Sequence, residues 1–285
     1  MGDNSQRPKP TVRKRLGRLL LIGFVTYGCA IACIATFQRR FIYFPTVISA
    51  EAADASAKSS DLERWRNRAG QAIGWKRMSP LHAAQGRVLI THGNAGCAID
   101  RSNYAFAIQQ SAALDVFILE YPGYGDRPGS PSQRSLFQAA DEAFELLATN
   151  GPVYLLGESL GTGVAAHLAG TYPTNVAGVL LIAPYNRLAD VAQYHMPIVP
   201  VRWLLRDRFP SEEYLRRYHG PVVMLVTTQD EVVSYKFGRR LYDGYAGPKL
   251  LRESNDAGHN TIQDQGPEFW KQVVGFWQEK RSPTK

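Results

Sequence analysis

The apolar and polar positions form two kinds of segment that alternate along the chain, one predicting strands and the other predicting helices. Short apolar runs predict buried strands over residues 87–91, 115–120, 153–156, 176–182, 221–227 and 249–252. Stretches with one apolar face predict helices over residues 101–113, 131–147, 160–170, 235–245 and from Pro267 onward. Because strands alternate with helices, we expect an α/β fold with a mostly parallel, twisted sheet covered on both faces.

Three stretches depart from this alternation. Residues 184–219 carry Tyr, His, Pro, Trp and Arg in no clean period, and we expect them to form a small cap over the carboxyl edge of the sheet. Residues 51–63 are small and charged, which is typical of an exposed connection, and residues 70–78 predict an edge hairpin or strand. The helix over 131–147 should have Ser130 as its N-terminal cap.

The most apolar stretch lies near the N-terminus. Residues 19–37 are uncharged and long enough to cross a bilayer as one helix. Six basic residues precede this run and two follow it, which favours a cytoplasmic N-terminus and a domain on the other side, periplasmic in a bacterium. The chain therefore divides into a polar basic tail (1–15), a transmembrane or signal-anchor helix (16–38) and a globular domain (39–285).

Two other fates of the apolar stretch stay open. Cleavage around Ala30 and Ala32 would remove it, although the run is long for a signal peptide. In a bacterium, residues 25–29 loosely resemble a lipoprotein processing site, which would leave an acylated Cys29. The lipoprotein route would also keep the domain at a membrane.

The net charge of +8 is concentrated at the N-terminus. Residues 1–40 hold eight basic residues and one acidic residue, whereas the remainder holds 25 and 24. A nucleic-acid partner is therefore not expected. Of the three cysteines only Cys97 lies beyond the apolar stretch, so a disulfide framework or a cysteine-rich metal site is excluded there. No metal-ligand or cofactor motif occurs, and we expect neither.

The strand at 153–156 runs into Gly-x-Ser-x-Gly, formed by Gly157, Ser159 and Gly161. A strand, a sharp turn at serine and a following helix make up a nucleophile elbow. The serine occupies a strained backbone position there, and small neighbours avoid collisions with the adjacent strand and helix. Ser159 is the candidate nucleophile.

A serine hydroxyl needs a histidine base, and the base needs an acid, in the chain order Ser, Asp or Glu, His. Downstream of Ser159, three histidines fall in the predicted helix or cap, whereas His259 lies in a polar loop between the last strand and the C-terminal helix. Asp230 is the first carboxylate after the strand at 221–227. We therefore predict Ser159, Asp230 and His259 as catalytic, with Glu231 and Asp256 as alternative acids.

Acyl transfer also requires two backbone N–H donors for the developing oxyanion. Leu160, directly after the nucleophile, should supply one of them. The other should come from Asn94, in the glycine-containing turn that follows the strand at 87–91.

These motifs together resemble membrane-anchored serine hydrolases of the α/β-hydrolase superfamily, including depalmitoylase-like and lysophospholipase-like members. The matching blocks are residues 38–45, 92–96, 121–125, 157–161, Asp230 and 259–260. The resemblance implies the α/β-hydrolase fold, ester or thioester hydrolysis of acyl or lipid-like substrates, and the same three catalytic residues. Residues 227–229 depart from the glycine-containing turn common before the acid. A serine peptidase and a catalytically silent, membrane-tethered binding protein stay as alternatives.

Three residues are candidates for substrate contact. Tyr121 belongs to one of the matching blocks, and Met196 and Trp203 lie in an apolar stretch of the cap, residues 196–205, that two prolines bend. This stretch either packs on the sheet or faces the bilayer and lines an acyl tunnel. The sequence makes no prediction of oligomeric state.

Overall fold

A computed structural model describes residues 12–80 and 84–280 of the chain. The predicted polar tail lies outside the described residues as far as residue 11. Helix α1 (Val12–Phe37) already begins within that predicted tail, and a 3₁₀ turn (Gln38–Phe41) follows it. Within the described part, Arg15–Phe41 is the one helical span long and apolar enough to cross a membrane, with a mean hydropathy of 2.2. No residue in the most apolar 18-residue window of this span is buried by the rest of the protein.

Eight strands form the main sheet of the described residues. In chain order they are β2 (Glu63–Arg66), β3 (Ala72–Arg77), β4 (Arg87–Thr91), β6 (Asp115–Leu119), β7 (Val153–Glu158), β8 (Val176–Ile182), β9 (Val222–Thr227) and β10 (Lys249–Ser254). Two short strands, β1 (Phe44–Pro45) and β5 (Ala95–Gly96), pair with each other outside this sheet. The order across the sheet is β10-β9-β8-β7-β4-β6-β3-β2. The pairs from β10 to β6 are parallel, and β3 and β2 add an antiparallel edge hairpin. The predicted mostly parallel α/β sheet is confirmed.

Helices cover both faces of this sheet. One face carries α4 (Gln133–Leu147), α5 (Leu160–Thr171), α8 (Ser211–Leu215) and α9 (Tyr235–Gly244). The other carries α2 (Ala50–Ser59), α3 (Ser102–Ser111) and α10 (Pro267–Lys280). Because strand side chains alternate between faces, Leu89 and Leu155 enter the first core while Val88 and Leu156 enter the second.

Two local predictions are wrong. Residues 51–63 are not a plain connection, because helix α2 forms there, capped by Ser49 and burying Ala53 and Ala57. Helix α4 is capped by Ser132 and not by Ser130, since the Ser132 side chain accepts the hydrogen bond from the Ser135 backbone N–H.

Between β8 and β9 lie three short helices, α6 (Leu188–His195), α7 (Val201–Leu204) and α8. Helix α8 packs closely on α5, where Gly170 lies against the Tyr214 backbone. Helices α6 and α7 enclose a small apolar cluster that contacts Ile31 and Ile34 of α1. The predicted cap region therefore joins the sheet on one side and the membrane-type helix on the other.

Candidate active site

Ser159 stands at the sharp turn between β7 and α5. Its backbone has φ 49° and ψ −116°, a region that non-glycine residues rarely occupy. Glycine is required on both sides, because a Cβ on Gly157 would lie 2.7 Å from the Gly161 carbonyl oxygen and one on Gly161 would lie 2.0 Å from that of Thr91. This strand–turn–helix geometry presents the serine side chain at the carboxyl edge of the sheet.

Three predicted residues meet at this edge. His259 Nε2 lies 3.0 Å from Ser159 Oγ, and His259 Nδ1 lies 2.7 Å from Asp230 Oδ2. The Asp230 side chain is 2% exposed and that of His259 is 12% exposed, so the pair is shielded from water. A serine, an imidazole and a carboxylate in this line can pass a proton from the hydroxyl to the ring.

The loop after β9 fixes the orientation of the Asp230 carboxylate. Its Oδ1 accepts hydrogen bonds from the backbone N–H groups of Val232 (2.8 Å) and Val233 (2.6 Å), which leaves Oδ2 toward His259. Glu231 is exposed, and the Asp256 carboxylate accepts a hydrogen bond from Ser254 Oγ. Of the three candidate acids, Asp230 is the one that contacts the imidazole.

The predicted oxyanion donors belong to two segments that lie next to Ser159. Leu160 is the first residue of α5, where a backbone N–H has no acceptor within its own helix. Asn94 lies in the turn between β4 and β5, and a Cβ on the preceding Gly93 would lie 3.6 Å from Ser159 Cβ. The turn therefore lies directly against the serine.

The side chains beneath this turn are buried and aromatic. His92 is fully buried, its ring centre lies 4.1 Å from that of Tyr121, and its Nδ1–H donates to the Gly93 carbonyl oxygen. The Tyr121 hydroxyl donates to the His92 carbonyl oxygen at 3.0 Å. Tyr121 is fully buried, which corrects the expected substrate contact: it supports the turn from below.

Comparison with known proteins agrees with this architecture. A family model described as the alpha/beta hydrolase fold matches residues 86–213. An uncharacterised protein of Mycobacterium tuberculosis is 32% identical over 246 residues, which cover 84% of this chain and 86% of that protein. The chain belongs to the α/β-hydrolase family.

Two further similarities are to proteins named as lipases. The lysophosphatidylserine lipase ABHD12 of Macaca fascicularis is 28% identical over 209 residues, 66% of this chain and 52% of that protein, so the chain spans about half of its length. A monoacylglycerol lipase structure from Paleococcus ferrophilus shares the fold, with a TM-score of 0.56, 19% identity and coverage of 77% and 99%. The structural similarity shows that the two proteins share the fold.

The hydrolase also carries a charged pair that the sequence motifs do not reveal. Glu158, the residue before the nucleophile, accepts two hydrogen bonds from Arg101, at 2.8 and 2.9 Å. Burial alone would raise the pKa of the Glu158 carboxyl, but the hydrogen bonds and charge of Arg101 outweigh burial and hold it below its usual range. A glutamate inside the Gly-x-Ser-x-Gly motif is the one sequence signal that points to this pair.

The other two predicted substrate contacts lie in the cap, Met196 at the end of α6 and Trp203 in α7. Met196 lines a small apolar cavity between the end of α1 and the cap, together with Ile34, Phe41 and Leu204. Trp203 is 84% exposed. The alternative in which this stretch packs on the sheet is therefore wrong for Trp203. Among the described residues, no group of three or more His, Cys, Asp or Glu side chains is placed to hold a metal ion.

Proposed function

We propose that this chain is a serine hydrolase that cleaves ester or thioester bonds of acyl, lipid-like substrates through an acyl-enzyme. The observation that carries the proposal is the continuous contact from Ser159 Oγ through His259 to Asp230. The backbone N–H groups of Leu160 and Asn94 are the proposed oxyanion donors. The supporting similarities are to proteins named as lipases.

In the first half of the reaction, Ser159 Oγ attacks the acyl carbonyl carbon while His259 Nε2 takes the hydroxyl proton. Asp230 holds the Nδ1–H of the ring and stabilises the imidazolium that forms. The carbonyl oxygen, now negatively charged, accepts hydrogen bonds from the two backbone donors. When the tetrahedral adduct collapses, the bond to the leaving alcohol or thiol breaks and His259 returns the proton to it.

In the second half, water replaces the leaving group. His259 Nε2 accepts a proton from the water as its oxygen attacks the acyl carbon, and a second oxyanion forms at the same donors. Collapse of this adduct breaks the bond to Ser159 Oγ, which regains the proton from His259. The products are a carboxylic acid and free enzyme.

We further propose that the domain (39–285, with its cap at 184–219) is held at a bilayer by the helix at 16–38. The span Arg15–Phe41 supports this placement, because its most apolar 18-residue window is unburied. The basic residues before the span favour a cytoplasmic N-terminus and a catalytic domain on the other side, periplasmic in a bacterium. Mass spectrometry of the membrane-extracted protein separates this arrangement, which keeps the N-terminal residues, from a lipoprotein that begins at an acylated Cys29.

The test of catalysis uses the full chain reconstituted in lipid nanodiscs. A fluorophosphonate probe should label the protein at Ser159, and p-nitrophenyl acyl esters should be hydrolysed. Ser159→Ala and His259→Ala should each lower kcat by about 10³-fold or more. Asp230→Asn should lower it strongly, because the ring loses its orienting acceptor, while Glu231→Gln serves as the matched control on an exposed neighbour.

Three outcomes would contradict the proposal. Ester hydrolysis that survives Ser159→Ala would remove the serine mechanism, and cleavage of aminoacyl amides in preference to acyl esters would favour the peptidase alternative. A folded wild-type protein that neither reacts with the probe nor hydrolyses esters would favour the silent binding protein.

A further inference from the structure

The chain that leaves helix α1 forms contacts on two sides. We call residues 38–46 the junction segment. It runs from the 3₁₀ turn after α1 through strand β1, between the cap and the turn that carries Asn94. Nothing in the reaction described above uses it.

On one side the junction segment binds the cap. The Gln38 side chain accepts a hydrogen bond from the Arg206 backbone N–H at 2.7 Å and donates to the Leu204 carbonyl oxygen at 3.3 Å. Arg39 donates twice to Asp207, from Nε at 2.9 Å and Nη2 at 3.3 Å. The Asp207 side chain is 5% exposed, so these bonds satisfy a carboxylate that burial would otherwise destabilise.

On the other side the junction segment binds the oxyanion turn. The Asn94 side-chain amide donates to the Ile42 carbonyl oxygen at 3.0 Å, and the Phe44 backbone N–H donates to the Asn94 carbonyl oxygen at 2.9 Å. The Thr46 backbone N–H then donates to the Gly96 carbonyl oxygen at 3.0 Å. Asn94 is therefore held through both its side chain and its backbone by residues from the same segment.

Tyr43 joins the two sides. It lies between Ile42 and Phe44, which bind Asn94, and its buried hydroxyl donates to Asp207 Oδ2 at 3.0 Å. Burial, followed by the nearby Asp207 charge, holds the pKa of Tyr43 well above its usual range, so the hydroxyl keeps its proton as a donor. A displacement of Asp207 would therefore move Tyr43, and through its neighbours Ile42 and Phe44 it would also move Asn94.

We propose that the junction segment positions the oxyanion turn, with Tyr43 and Arg39 acting as positioning residues through Asp207. The proposal rests on the proposed function, because it concerns the Asn94 backbone N–H as an oxyanion donor. It implies that the cap, the end of the anchor helix and the oxyanion turn move as one unit.

The size of the expected effect follows from the donor it acts on. Removing one oxyanion donor costs about 10²–10³ in kcat, and misplacing it should cost part of that. We expect Tyr43→Phe and Arg39→Ala each to lower kcat by about tenfold. The KM for a short, soluble ester should stay within about twofold, because the donor binds the transition state more strongly than the substrate.

The experiment compares four full-length proteins in nanodiscs: wild type, Tyr43→Phe, Arg39→Ala and the control Arg40→Ala. Arg40 is an exposed neighbour whose guanidinium lies over the Phe37 ring. Each is assayed for kcat and KM with p-nitrophenyl butyrate, for inhibition by an alkyl boronic acid, and for melting temperature. A boronic acid forms a tetrahedral adduct on the serine, so its affinity should fall in parallel with kcat in Tyr43→Phe and Arg39→Ala and stay unchanged in Arg40→Ala.

The results separate the two proposals. An unchanged kcat and boronic-acid affinity in both Tyr43→Phe and Arg39→Ala, with an active wild type, would overturn the positioning role alone. A fall in kcat that is matched by the Arg40→Ala control, or that follows melting temperature with no change in boronic-acid affinity, would also overturn it. An inactive, unlabelled wild type would instead contradict the proposed function.

Discussion

Ser159 occupies a backbone conformation that costs on the order of 1–3 kcal/mol for a residue with a side chain. Three hydrogen bonds hold its backbone there. Its N–H donates to the Ile182 carbonyl oxygen at 2.8 Å, and its carbonyl oxygen accepts from the Thr162 N–H at 2.9 Å and from the Thr162 hydroxyl at 2.7 Å. The strain keeps Oγ within reach of His259. Strand β8 and helix α5 therefore offset the cost of presenting the nucleophile.

Glu158 and Arg101 form a second ordered pair next to that serine. Their side chains are 16% and 14% exposed, and the Tyr104 hydroxyl also donates to the Glu158 carboxylate at 3.3 Å. A carboxylate held this way loses its partners when it is protonated. The pair should therefore make the stability of the site depend on pH.

We predict the direction of that dependence. The pKa of Glu158 is lower in the folded than in the unfolded protein. Its contribution to the free energy of unfolding is therefore fully present at a pH above the unfolded-state pKa. That contribution is lost as the pH falls through the folded-state pKa. Glu158→Gln removes the carboxylate that accepts two hydrogen bonds from Arg101 and leaves the longer contact of Arg101 with Asp100 at 3.7 Å. It should lower the free energy of unfolding by about 2 kcal/mol near pH 7. The difference in melting temperature from wild type should narrow below about pH 4.5.

The matched control is Glu63→Gln, which removes an exposed glutamate paired with Lys76. It should change the melting temperature little at any pH, because an exposed ion pair is screened by water and salt. A melting difference for Glu158→Gln that stays constant from pH 7 to pH 4 would show that the pair does not titrate as described.

At the scale of elements, the contact between α5 and β4 brings the two halves of the site together. Gly161 lies so close to the end of β4 that a Cβ there would lie 2.0 Å from the Thr91 carbonyl oxygen and 2.6 Å from that of His92. The Thr91 hydroxyl donates to the Gly161 carbonyl oxygen at 2.9 Å. This contact sets the distance between the nucleophile and the oxyanion turn.

We therefore predict that Gly161→Ala lowers both stability and turnover. The added methyl group must push α5 away from β4, because its nearest neighbours are backbone atoms that have no other conformation to adopt. Overpacking of this kind costs about 1–3 kcal/mol, and the displaced serine should lower kcat by about 10²-fold. Thermal unfolding and ester hydrolysis of the full chain measure the two effects.

Gly275→Ala provides the comparison within another helix. Gly275 lies in α10, and a Cβ there would meet nothing within 4 Å, so alanine should be neutral or stabilise the helix by up to about 1 kcal/mol. If Gly161→Ala and Gly275→Ala changed the melting temperature and kcat equally, the result would contradict the close contact between α5 and β4.

Local pattern predicts some elements well because their burial is uniform. Strands β4 and β8 occupy residues 87–91 and 176–182, as predicted, since both are apolar runs in the middle of the sheet. Helix α2 is not revealed by periodicity, because its buried face consists of alanines that resemble the small residues of a loop. A short core face of this kind is recognised only once its packing partners are known.

The residues of the candidate site also differ in whether the sequence alone can locate them. Ser159, Asp230 and His259 can be located because each follows a predicted strand in a known chain order. Arg101 is 57 residues away from Glu158, and Tyr43 is 164 residues away from Asp207, so no periodicity connects the partners. Such pairs depend on the tertiary fold that brings separate elements together.

At the scale of the whole molecule, the cap and the membrane-type helix present a common apolar surface. The Tyr27 hydroxyl donates to the Ile198 carbonyl oxygen, which ties the cap to the side of α1. In the cap, the Ile198 and Trp203 side chains are 79% and 84% exposed. With α1 in a bilayer, these side chains would lie at its surface, where tryptophan is enriched.

The cavity lined by Met196 and Leu204 lies between the cap and the end of α1. An acyl chain drawn from a bilayer would meet apolar atoms there, and each buried CH₂ would contribute about 0.8 kcal/mol. The anchor and cap would thus favour substrates that are already in the membrane. We therefore expect Trp203 to act in the delivery of substrate and not in the stability of the fold.

We predict that Trp203→Ala separates these two roles. Because the side chain is exposed, the melting temperature should stay the same, and so should kcat/KM for the soluble acetate and butyrate esters. Hydrolysis of a long-chain ester presented in the nanodisc should fall, by about tenfold if roughly 1.4 kcal/mol of interfacial contact is lost.

Met78→Ala is the control, since the Met78 side chain is also exposed. Met78 follows β3 at the end of the sheet opposite Ser159, where Arg77 pairs with the start of β6. Equal losses on short and long esters, or a parallel fall in melting temperature, would show that Trp203 supports packing and would remove the delivery role.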